Sequence, residues 1–191
     1  MAGDKGNITV VEFKSISRGL IVTDAILKTA NVRLVLGTTL CPGKYLTIVE
    51  GDVAAVEKAQ DTADRLGGRQ VFSSFVVSGI NNEVISAING YSAKPLMDSI
   101  GIIESIQMAN LIKAADISLD SAEVEIVELR LGKGCGVNSF YVITGDLASV
   151  NVACGNAVSF LSERGALLAF RVIANPDKNL LRWLEPSMCM C

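Results

Sequence analysis

Two hydrophobic rhythms alternate along this chain, and the alternation runs twice. Residues 8–13 are apolar and β-branched, as in a strand. Residues 19–30 carry apolar side chains at helical spacing. Residues 32–36 and 44–50 return to strand-like patterning. Gly51-Asp52 then turns the chain into a helix, with Asp52 a good N-cap and an apolar stripe of Val53, Val56, Ala59, Ala63 and Leu66. Gly67-Gly68 ends that helix, and residues 71–77 read as a fourth strand. The order is β-α-β-β-α-β, the ferredoxin-like plan.

Sliding the first half by 92 residues sets Ile8 on Ile100, Glu12 on Glu104, Asp24 on Asp116 and Val35 on Val127. Beyond the next loop the offset becomes 94, so Gly51-Asp52 meets Gly145-Asp146 and Val56 meets Val150. The second copy then predicts strands at 100–104, 124–129, 139–144 and 167–173, and helices at 109–119 and 146–161. The expected fold is α+β: two tandem ferredoxin-like domains at 8–91 and 98–185, a polar joint between them, and a tail at 186–191.

Composition narrows the function. Apolar residues make up 50% of the 191 and charged residues 19%, which excludes disorder. A net charge of −3 gives no basic excess for nucleic acid. The mean hydropathy of +0.41 points to apolar surface that one monomer does not hide, and so to an oligomer. There is no histidine, which excludes Ser-His-Asp and Cys-His catalysis and His-containing zinc sites. No apolar run reaches the roughly 18 residues that span a bilayer. The N-terminus lacks a signal peptide's apolar core, so a cytoplasmic location is expected. Five cysteines, an odd count, argue against a disulfide framework.

The loop between the second and third strands is the most informative segment. It reads Gly37-Thr38-Thr39-Leu40-Cys41-Pro42-Gly43-Lys44 in the first copy and Leu131-Gly132-Lys133-Gly134-Cys135-Gly136-Val137-Asn138 in the second. Cys41 and Cys135 each lie eleven residues before the capping Asp, so both copies hold a thiol at the same place. Gly37 and Gly43 allow tight approach and unusual φ, and Pro42 limits loop entropy. The Gly132 to Gly136 stretch lacks phosphate-loop spacing.

With segments 24–32 and 51–56, these loops resemble those of bacterial microcompartment shell proteins. The tandem layout looks like the double-domain class, whose trimers imitate a hexamer. The string Leu40-Cys41-Pro42-Gly43-Lys44-Tyr45 is similar to the loop of the iron–sulfur type from propanediol-utilisation compartments. The resemblance implies a homotrimeric tile, not an enzyme, that packs edge to edge with other shell proteins around encapsulated enzymes. It implies a central pore lined by the loops. There one [4Fe-4S] cluster per trimer would be held by Cys41 from each of three chains, with Pro42 and Gly43 shaping the loop. An encapsulated or cytosolic redox enzyme would exchange electrons with it. It also implies an edge contact at Lys28, whose place in the second copy is taken by Asp120. Three thiolates leave the fourth iron needing water, a small thiol or Cys135.

Other readings stay open. Cys41 could be a small turn residue in a tile whose pore conducts metabolites with no cluster, or the chain could be a soluble ferredoxin-like module unrelated to shells. Lys44 and Lys133 could offset cluster charge or be solvated at the pore rim. Cys154, four residues from both Val150 and Val158, is expected to pack in the core. Cys189 and Cys191 belong to the tail, as an unstructured end or an accessory metal or redox contact. Glu12 and Glu104 are duplicated equivalents, not a catalytic pair.

Overall fold

Alternating apolar residues draw out β1 (Lys5–Phe13), and Ser15 then caps α1 (Ile16–Thr29), its hydroxyl accepting the Arg18 N–H at 3.4 Å. β2 (Arg33–Leu40) and β3 (Lys44–Gly51) form a hairpin. The Asp52 carboxylate accepts the Ala55 N–H at 2.8 Å and opens α2 (Val53–Gly67), which leads into β4 (Val71–Asn81). The strands form one antiparallel sheet in the order β2-β3-β1-β4. In this computed structural model the described residues are 5–90, 98–132 and 138–180, which leaves Lys133, Cys135, Cys189 and Cys191 outside them.

The chain divides into two compact units, Met1–Asn82 and Glu83–Cys191. α3 (Asn82–Ile88) opens the second. Then follow β5 (Ser99–Ser105), α4 (Met108–Ser121), β6 (Glu125–Leu131), β7 (Ser139–Gly145), α5 (Leu147–Glu163) and β8 (Leu167–Ala174). The sheet order β6-β7-β5-β8 repeats that of the first unit. Asp146 caps α5, accepting the Ala148 and Ser149 N–H groups at 2.9 Å each. These bonds, with that from the Ser149 backbone the strongest, hold its carboxyl below the usual carboxylate range.

The first unit's core lies between sheet and helices. Val11, Phe13, Tyr45 and Val49 meet Val22 and Ile26 of α1 and Ala59 and Ala63 of α2. Each large side chain buried there contributes about 1.5–3 kcal/mol. The α2 stripe is narrower than its periodicity predicts: Val56, Ala59 and Ala63 are buried, while Val53 and Leu66 at its ends are exposed. Two further differences matter. The second strand runs four residues past its expected end, because Gly37, Thr38, Thr39 and Leu40 continue to pair with Thr47, Leu46, Tyr45 and Lys44. And α3 follows the fourth strand where the sequence pattern predicts no element.

Candidate functional site

The β2–β3 hairpin narrows the candidate site to three residues. Leu40 pairs with Lys44, so the loop is Cys41-Pro42-Gly43 alone, and the Cys41–Pro42 peptide bond is cis. Gly43 has φ +80° with open space around it, the left-handed conformation that a three-residue hairpin needs and glycine adopts freely. Leu40 is buried at the root and Cys41 is exposed at the tip. Gly37, expected to loosen the loop, sits in β2. A Cβ there would stand 2.8 Å from the Tyr45 hydroxyl.

Lys44 is drawn largely out of solvent into an ion pair. Its Nζ lies 2.7 Å from Glu12 Oε1 and 3.7 Å from the centre of the Phe72 ring. Glu12 is buried and Lys44 largely so. The pair binds β3 to β1 just below the tip. In the second copy Asn138 takes the place of Lys44, so that position offers Glu104 no cation.

Packing under the hairpin also differs between copies. Tyr45 pairs with Phe13 and packs against α1, where a Cβ on Gly19 would fall 2.6 Å from the ring. The equivalent pair in the second unit is Ser139 and Leu111. Large and small have changed places: Leu111 is fully buried, and Ser139 is buried with no partner for its hydroxyl among the described residues. A size exchange recurs two turns on, in the opposite sense. Ile26 and Thr47 in the first copy become Ser118 and Tyr141 in the second, where the two hydroxyls lie 2.7 Å apart. Burial raises the Tyr141 phenol well above its ordinary pKa.

Of the other candidates, Cys154 is buried against the core, which pushes its thiol up to about 11. Lys28 is exposed on α1 and reaches Asp24 at 2.6 Å, one helical turn away. The second copy differs there too: Asp116, in the place of Asp24, is buried and pairs with Lys113 at 2.6 Å. Cys41 is the single exposed thiol among the described residues, where no group of three or more Cys, Asp and Glu converges. Among the described residues, one chain would offer a cluster at the tip a single thiolate, that of Cys41. No helix among the described residues is long and apolar enough to cross a membrane.

Two four-stranded sheets of identical order, each paired with two helices and duplicated along one chain, define a tandem-domain protein. The BMC domain family matches residues 8–80 and 99–176, and the chain belongs to that family, as a microcompartment shell protein with two BMC domains. It is 35% identical over 175 residues to the bacterial microcompartment shell protein PduT of Citrobacter freundii, covering 92% of this chain and 95% of that one. The shell protein PduK of the same organism is 34% identical over 86 residues, 45% of this chain and 54% of PduK. A crystal structure of a microcompartment protein from Desulfitobacterium hafniense superposes with a TM-score of 0.89 at 37% identity, over 94% of this chain and 99% of that one.

Proposed function

We propose that three copies of this chain form a six-domain shell tile, with the Cys41 hairpins meeting at its centre. Three Cys41 thiolates would hold a [4Fe-4S] cluster there. The observation that carries this is Cys41 itself, an exposed thiol at the tip of a three-residue loop with Lys44 locked to Glu12 beneath it. Cys41 supplies the iron ligand. Pro42 and Gly43 hold the tip narrow enough for three copies to approach. A cluster bound there supplies one-electron chemistry at a potential set by its surroundings. The tile would pass electrons to a redox enzyme across the shell or exchange the cluster, while packing edge to edge with other shell proteins through the α1 surface around Lys28.

The ring is supported by a difference between the repeats. Met108 is 6% exposed and Ile112 0%, yet their equivalents Ile16 and Leu20 are 36% and 51% exposed. A face that is covered in one copy and bare in the other is what a ring of identical chains needs, with each bare face covered by the next chain.

Anaerobic purification, with iron and sulfide analysis and visible absorbance, tests the proposal. The wild type should bind about four irons per trimer, as the cubane requires, and Cys41→Ser should be colourless. A wild-type trimer that stays iron-free after reconstitution would overturn the cluster and leave a tile with a metabolite-conducting pore.

A further inference from the structure

The second unit shows what covers an edge strand of this fold. Glu83 of α3 accepts the Ile126 backbone N–H at 2.9 Å on the free edge of β6. Val84, Ile85, Ala87 and Ile88 of α3 are all buried. In the first unit β2 is the corresponding edge strand. Leu34 holds the place of Ile126: it pairs with Val49 as Ile126 pairs with Ile143, and the ladder is irregular immediately after both. Alternation along an antiparallel ladder therefore turns the Leu34 N–H off the edge, as it does for Ile126. The side chains differ sharply, Ile126 being 1% exposed and Leu34 41%.

The sequence carries a second segment with the residue pattern of the covering helix. After β8, the Asp177 carboxylate accepts the Asn179 N–H at 2.8 Å, and helix begins at residue 178. Aligned on their first residues, segment 178–184 (Lys-Asn-Leu-Leu-Arg-Trp-Leu) matches Asn82–Ile88. Asn179 falls on Glu83, and Leu180, Leu181 and Leu184 fall on Val84, Ile85 and Ile88. Leu180 is an exposed apolar residue, 43% accessible.

We infer that residues 178–184 of one chain dock on the β2 edge of a second copy, as α3 docks on β6. The Asn179 side-chain oxygen accepts the Leu34 N–H, and the three leucines cover the Leu34 side chain. This inference rests on the three-chain ring proposed above. An amide oxygen replaces the carboxylate of Glu83, so the hydrogen bond between chains lacks charge assistance, and apolar contact carries the junction.

Sedimentation and amide hydrogen exchange on the full chain test it, comparing wild type, Leu180→Asp and Leu34→Asp. Both side chains are exposed within one chain, so both variants should fold. Each should weaken trimer association by about tenfold or more. In Leu180→Asp the Leu34 amide should lose its exchange protection. A wild-type protein that is monomeric at every concentration overturns the ring and the docking together. A wild-type trimer whose dissociation and Leu34 exchange are unchanged by Leu180→Asp overturns the docking alone. Should a variant not fold, dilution of the wild type decides: Leu34 protection that persists in the dissociated chain overturns the docking.

Discussion

Gly19→Ala tests how the hairpin root is packed. In an ordinary helix interior this change gains about 1 kcal/mol. Here the new methyl would meet Tyr45 Cδ1 at 2.6 Å, Cβ at 2.7 Å and Cγ at 2.9 Å. Tyr45 Cβ is rooted in β3, and pairing on both sides by Thr39 and Phe13 holds that strand in place. A rotamer change alone cannot relieve the contact, so backbone must move. Overpacking of this kind costs about 1–3 kcal/mol, and three contacts with one near-rigid root place it at the upper end. After the helix gain, the net loss is about 2 kcal/mol. Replacing Tyr45 by Ser, the residue of the second copy, removes the ring. Gly19→Ala should then stabilise by about 1 kcal/mol, for a coupling of about 3 kcal/mol. Urea unfolding, with amide exchange followed along α1, reads all four members of the cycle. Gly19→Ala stabilising by the same amount in both backgrounds would refute the argument.

Two further outcomes separate interior from surface chemistry. Lys44→Met leaves the Glu12 carboxylate buried without its cation and should cost about 3–5 kcal/mol, whereas Lys28→Met, which opens an exposed pair, should cost less than about 1 kcal/mol; urea midpoints measured side by side check the contrast. Burial raises the Cys154 thiol from 9.0 to about 11, so the unfolded chain gives up this proton first. Stability should therefore fall as pH rises from about 9 toward 11, and Cys154→Ala should shrink that alkaline loss by on the order of 2–3 kcal/mol, measured as unfolding free energy against pH.

The duplication and the strand order were legible because each strand carries a two-residue rhythm and each helix a longer one, and because the second copy repeats both. Cys41 could be found for the same reason: its place relative to Asp52 recurs. What escaped was three-dimensional pairing. Lys44 and Glu12 lie 32 residues apart, and only the β1–β3 register, with Phe13 opposite Tyr45, shows that they meet. Gly37 looked like loop because glycine usually punctuates chains, yet here it makes room for a tyrosine ring in a continuing strand. The α3 helix escaped because seven residues are too few to display a helical period, although Val84, Ile85, Ala87 and Ile88 are all buried. The exposed faces of α1 and β2 could not be read at all, since Ile16 and Leu20 fit a buried stripe as well as their equivalents do.

The exchanged sizes of Gly19 with Tyr45 and Leu111 with Ser139 carry an evolutionary consequence. The halves began as copies, but genetic recombination between them at any crossover separating helix from strand now yields a crowded or hollow interior. Gene conversion that would homogenise the halves is thereby penalised, and each is free to acquire its own chemistry at the tip of its hairpin.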